Sequence, residues 1–166
     1  MDAHHFASNE ISMRREKLKI VPRVAESAEP GGYVLDDQAG FLMRVAMQRH
    51  TAIFHARMVE SLTQTQFAAL AKLHEVGACS QNHLGRLIYL DAATIKGVVD
   101  RLCARGFVSA LNDPKDRRRR AVALTVRGRS VTEAAMGVAA EITAATLAPL
   151  TADERNAVVK LLRRLG

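Results

Sequence analysis

Residues 115–120 hold five cations in six positions: Lys115, Arg117, Arg118, Arg119 and Arg120, with Asp116 as the one acid among them. Asp113 and Pro114 precede the run, and Ala121-Val122-Ala123-Leu124-Thr125 follows it. Asn112-Asp113-Pro114 is turn chemistry, because Asn and Asp side chains fold back onto the backbone and proline fixes φ. The residues after the run alternate as a short strand does. Guanidinium groups carried on such a turn suit phosphate oxygens, and they suit the narrow minor groove where negative potential is focused. An acid inside the run weakens phosphate attraction unless it orients a neighbouring arginine. Its other reading is that it only shapes the turn, and the run as a whole can also be read as a solubilising surface.

The excess of charge is local. Residues 91–129 contain ten cations and four acids, which is six of the formal net charge of +7 in the whole chain. A concentrated basic segment attracts a polyphosphate by Coulomb steering and counterion release. Just before the basic run, Ile95, Val98, Val99 and Leu102 recur at helical spacing, with Asp91 placed to cap the start and Gly106 to end it. If those four face inward, Ala92, Ala93, Thr94, Lys96 and Gly97 occupy the outer side. Thr94 and Lys96 have the reach for bases or phosphates, and Ala92 and Ala93 suit a thymine methyl. Arg101 is placed for phosphate or for an ion pair within the chain. Gln81 and Asn82 follow a capping Ser80. They either bond phosphate from a helix N-terminus or belong to the cap.

Composition narrows the alternatives. Of 166 residues 48% are hydrophobic, only 4% are aromatic and none is Trp, so the core must come from Ala, Leu, Val, Ile and Met, which suits helices. Cys79 and Cys103 form neither a CxxC motif nor a disulfide framework, which points to a reducing cytoplasm. Arg14-Arg15 superficially suggests a twin-arginine signal, but Glu16, Lys17 and Lys19 interrupt the apolar stretch such a signal needs. No apolar run is long enough to span a bilayer, so no membrane association is expected. His74, Cys79 and His83 are near in sequence, yet a cap at Ser80 puts them on two helices, and no metal site is expected. No nucleophile motif and no phosphate-binding Gly loop is present, so neither an enzyme nor a cofactor is expected.

These residues need elements to hold them. Residues 1–33 are polar and punctuated by Pro22, Pro30 and Gly31-Gly32, and they read as an arm with a short helix near 11–18. Residues 36–61 read as one helix of about 39 Å, long enough to be shared with a second copy. Thr63 and Gln66 form a capping box for a helix that Gly77 stops, and Ser80 caps a short helix to residue 87. The helix over 91–105 follows, then strands over 107–111 and 121–124. Thr125 caps a helix over 126–147, Pro149 breaks it, and Thr151 with Glu154 opens a last helix to residue 165. The predicted class is mainly α with a small β wing. It is a winged helix-turn-helix over 63–125, flanked by N- and C-terminal dimerisation helices over 34–62 and 126–166.

Ordered motifs carry a family resemblance across residues 36–165. They are Leu62-Thr63-Gln64-Thr65-Gln66-Phe67, Ser80-Gln81-Asn82-His83-Leu84-Gly85-Arg86-Leu87, residues 91–102, Arg105-Gly106-Phe107-Val108, residues 113–118 and Leu124-Thr125-Val126-Arg127-Gly128. In that order they resemble the MarR family of bacterial winged-helix regulators. The resemblance implies a homodimer on a pseudo-palindromic double-stranded DNA operator, most members repressing transcription until a small effector binds between the lobes. It matches Arg118 to the wing arginine that enters the minor groove and Asp116 to the acid orienting it. Lys115, Arg117, Arg119 and Arg120 are then phosphate contacts or solvated.

Many effectors of the family are aromatic carboxylates. Gln48-Arg49-His50 with Ile53-Phe54 is similar to regulators of aromatic acid catabolism, and a CoA thioester is a second form of such an effector. An aromatic acid needs an apolar slot and a cation or donor for its carboxylate. Arg44, His50, His55, Arg57 and His74 are the polar candidates, each also readable as a solvated or satisfied side chain. Phe41, Ile53, Phe54 and Met58 are the apolar candidates, and Arg14 or Arg15 could close the slot from the arm. A weakly specific architectural DNA-binding protein without effector is the competing function.

Overall fold

The structure is a computed structural model that describes residues 32–113 and 116–166, and for 111–113 and 116–120 the backbone alone. The arm reading over 1–33, including Arg14 and Arg15, lies almost wholly outside the described residues. Residues Leu35–Gly166 form one compact unit.

α1 spans Ala39–Arg57. The spacing predicts a helix over 36–61, but the helix is 19 residues long, about 28 Å, with separate 3₁₀ turns at Leu35–Asp37 and Val59–Ser61. Tertiary contacts override the periodicity. Met58 takes an extended backbone, φ −64° and ψ 131°, and both Met58 and Leu62 enter the core. Glu60 and Ser61 then adopt left-handed backbone, φ 53° and 48°.

α2 (Gln64–Val76) begins where the sequence says it should. The Thr63 hydroxyl accepts from Gln66 N, and the Gln66 side chain accepts from Thr63 N at 3.0 Å. Gly77 ends it at φ 75°, a conformation open to glycine. The Ser80 hydroxyl accepts from His83 N to start α3 (Gln81–Leu87), and Asp91 starts α4 (Ala92–Ala104). Ile95, Val98, Val99 and Leu102 are buried along α4, as their spacing predicts.

The sheet differs from the expected two short strands around a basic loop. β1 is Cys79–Ser80, β2 is Val108–Asp113 and β3 is Asp116–Leu124, in the order β1-β3-β2, all pairs antiparallel. The β2–β3 register runs from Val108↔Leu124 to Asn112↔Arg120 and closes at Asp113↔Asp116 after a bulge. Arg117 to Arg120 therefore belong to a strand. An antiparallel ladder is made of backbone bonds and continues past the last apolar residue. The third strand was not anticipated, because two residues are too few to show a period.

α5 (Val126–Thr146) starts at Thr125, whose hydroxyl accepts from Gly128 N at 2.9 Å. α6 (Ala152–Leu165) starts at the Thr151–Glu154 capping box and buries none of its residues. α1 and α2 both pack against α5, and α2 also packs against α4. Phe54, Leu70, Leu84, Ile95, Leu102, Phe107 and Ile142 thus share one core. Gly128 lies against the backbone just before β2: a Cβ there would be 1.8 Å from the Phe107 carbonyl oxygen. Among the described residues no helix is long and apolar enough to cross a membrane.

Candidate nucleic-acid interface and effector cavity

α4 presents its polar side outward. Ala92, Ala93, Thr94, Lys96 and Arg101 are exposed while Ile95, Val98 and Val99 are buried. Its start is held by Asp91, whose carboxylate accepts from Ala93 N at 2.9 Å, Thr94 N at 2.8 Å and the Thr94 hydroxyl at 2.6 Å. The Thr94 hydroxyl bond, followed by the amide bonds, holds the Asp91 carboxyl below its usual range. The Thr94 proton is therefore spent on the cap, and its oxygen is left to accept. Lys96 pairs with Asp100 at 2.6 Å one turn along the exposed face, so a phosphate would compete with that carboxylate. Arg101 makes no ion pair among the described residues. Its guanidinium lies over Gly97, where a Cβ would meet Nη1 at 3.4 Å.

α3 approaches α4 closely at Gly85, where a Cβ would lie 3.1 Å from Ile95 Cγ2 and from the Leu90 carbonyl oxygen. Beside this contact Asn82, Arg86, Leu90, Ala92 and Ile95 line a cleft of about 210 Å³. The side-chain cap of α3 is made by Ser80, so Gln81 and Asn82 are not needed for it. Gln81 is half-buried and Asn82 exposed. Arg86 is exposed, with Nη2 3.5 Å from His83 Nδ1, and was not among the candidates read from the sequence. On the wing, Asp116 to Arg120 follow one another along β3. Their side chains and Lys115 lie outside what is described, and with them the pairing expected between Asp116 and Arg118.

A second site lies between α1, α2 and α5. A cavity of about 270 Å³ is lined by Met47, His50 and Phe54 of α1, Gln64 and Phe67 of α2, and Ala139, Ile142 and Thr143 of α5. Phe54 is tilted against Phe67 at 6.2 Å between ring centroids, and His50 lies 6.2 Å from Phe54. His50 Nδ1 is 3.0 Å from the Thr146 hydroxyl oxygen. That hydroxyl donates to the Ile142 carbonyl at 2.9 Å, so it has no proton left for His50. While that proton points to Ile142, Nδ1 is the donor and Nε2 is the ring nitrogen left to meet a ligand. Gln64 Nε2 donates to the Thr51 hydroxyl at 3.2 Å.

Of the candidate effector residues, the cavity brings together His50 and Phe54. Met58 is a core residue, and Ile53 is half-buried and packs on the same core. Phe41 and Arg44 stack on each other at 5.0 Å near the start of α1. His55 and Arg57 are exposed, and His74 reaches Glu133 of α5 at 3.4 Å. None of these last five lines the cavity. Gln64, Phe67, Ala139, Ile142 and Thr143 were not anticipated. They come from helices far apart in sequence, and periodicity within one helix cannot show that convergence.

A model of the MarR family matches residues 62–119. The HTH-type transcriptional repressor NicR of Pseudomonas putida is 40% identical over 134 residues, covering 80% of this chain and 85% of NicR. A probable transcriptional regulator of Pseudomonas aeruginosa superposes with a TM-score of 0.78 at 49% identity, covering 80% of this chain and 100% of the other. BpsR of Bordetella bronchiseptica superposes with a TM-score of 0.77 at 40% identity, covering 81% and 97%, and its DNA binding is regulated by 6-hydroxynicotinic acid. Fold, ordered motifs and near-full-length relatives agree: the chain belongs to the MarR family, and it is a transcriptional regulator rather than an enzyme.

Proposed function

We propose that this protein is a cytoplasmic homodimeric repressor of catabolic genes that releases a pseudo-palindromic operator when a single-ring aromatic acid enters the α1–α2–α5 cavity. The cavity carries this reading. It is apolar, has two aromatic walls, and offers one imidazole nitrogen, His50 Nε2, for a carboxylate or ring hydroxyl. A volume of about 270 Å³ is near the lower end of small-molecule sites and suits one ring. A CoA thioester would leave most of its length outside, so the free acid is preferred. The regulation of BpsR by 6-hydroxynicotinic acid supports a hydroxylated heteroaromatic acid in particular.

In this reading residues 63–125 are the DNA-binding region. Thr94, Lys96, Ala92 and Ala93 face bases, Arg118 enters the minor groove with Asp116 orienting it, and Gln81, Asn82, Arg101, Lys115, Arg117, Arg119 and Arg120 meet phosphates. Residues 34–62 and 126–166 hold the two copies together. Exposed Leu161, Leu162 and Leu165 on α6, and exposed Leu42, Val45 and Met47 on α1, support this assignment, because a monomer gains nothing by leaving them in water.

An electrophoretic shift of the DNA upstream of this protein's own gene, with excess random DNA present, tests the proposal. A specific complex dissolved by 6-hydroxynicotinic acid or a related acid is the expected result. Equal affinity for that DNA and for random sequence would instead support the architectural function.

A further inference from the structure

The left-handed turn after α1 is tied to the far end of α4. Arg105, which follows α4, donates from Nη2 to the Glu60 carbonyl oxygen at 2.5 Å and approaches Glu60 Oε2 at 3.3 Å. Arg127, in the first turn of α5, places Nη2 3.9 Å from the same carboxylate oxygen. Both guanidinium groups lie over the buried Phe107 ring, their carbons 4.6 and 4.9 Å from its centroid. One carboxylate therefore sits between two cations seated on one ring. Glu60 and Ser61 both hold positive φ, which L side chains resist. Without a compensating contact the turn would relax.

The position of this turn matters more than its strength. Glu60 lies between Phe54 of α1 and Gln64 of α2, both of which line the effector cavity. Anything that spreads α1 from α2 must move the turn between them, and Arg105 ties that turn to the end of α4 through both the carbonyl and the carboxylate of Glu60. We infer that Glu60 is a positioning residue that couples the effector cavity to α4. The closed turn keeps α4 where both half-sites can be read, and an effector that spreads α1 from α2 opens it. This inference rests on the function proposed above, and it adds the residue through which the signal passes.

Glu60→Gln and Ser61→Gly, made in the full-length protein, test it by sign. Glu60→Gln removes one negative charge from a DNA-binding protein, so electrostatics alone predicts tighter operator binding. Coupling predicts the reverse: operator affinity falls roughly tenfold with an unchanged salt slope. By linkage, 6-hydroxynicotinic acid binds the variant more tightly by a similar factor. Ser61→Gly relieves the left-handed backbone and keeps every charge, so it should tighten operator binding and weaken the acid. Glu60→Gln binding operator as well as or better than wild type overturns the inference, and so does Ser61→Gly moving in the same direction as Glu60→Gln. If wild-type protein does not bind the acid, the cavity's proposed ligand is wrong, and the operator measurements alone still decide the role of Glu60.

Discussion

Gly128 has no room for a side chain, because a Cβ would fall 1.8 Å from the Phe107 carbonyl oxygen. Gly128→Ala is expected to destabilise the fold by about 3 kcal/mol or more, measured as a lower urea midpoint, since it forces α5 away from the Phe107 backbone. Gly128 was quoted in the sequence as part of a motif, but the physical need for it is a backbone contact across about 20 positions that no local pattern reports. Asp91 is the opposite case, a cap visible in the sequence and found in place. Its folded pKa is depressed, so the stability it contributes is present above the ordinary carboxylate range and is lost as pH falls through its lower folded value. Asp91→Asn should flatten that acid limb of a melting-temperature profile, and an unchanged limb would show that the cap is not responsible. His50 was legible as a candidate, whereas its bond to Thr146 of α5 was not. Removing the ring with His50→Ala should weaken an aromatic acid roughly tenfold in calorimetry while leaving operator affinity without the acid unchanged.

Helix starts were the most legible elements, because Thr63, Ser80, Asp91, Thr125 and Thr151 each bond amides two or three positions on, and that chemistry is local. The end of α1 was not legible. Its apolar spacing continues past Arg57, while the break at Met58 and Glu60 is made by the burial of Met58 and Leu62 and by Arg105 from 45 residues away. The strands were placed but drawn too short for a similar reason: ladder bonds, not side-chain alternation, decide where β3 begins. α6 is an amphipathic helix with no buried residue, a pattern that makes sense only if something covers its leucines. Leu161→Glu with Leu162→Glu should halve the mass seen in light scattering and abolish specific operator binding. A protein that retains the mass of two copies would place the dimer contact elsewhere.

At the scale of the whole molecule, charge and architecture coincide. Six of the seven net positive charges fall in residues 91–129, which span α4, both long wing strands and the start of α5. If Arg118 enters the minor groove, Arg118→Ala should weaken operator binding more than binding to random DNA. If it only touches phosphate, both should fall together and the salt slope should drop by about one for the phosphate no longer neutralised. The general architecture was readable because its punctuation is local, while the cavity was not, because it exists only where three helices meet. One small feature also limits how relatives of this protein can vary in length. Ser80 is at once the last residue of β1, paired with Ala121, and the N-cap of α3. There is no slack between wing and helix at that point, so even a single inserted residue would have to break either the strand pairing or the cap. The turn around Pro149 is held differently, by the Arg155 guanidinium, which donates to the carbonyls of Leu147 at 3.1 Å and Leu150 at 2.9 Å. Length changes among relatives, and any tag or fluorescent insertion, should therefore be rejected at 79–81.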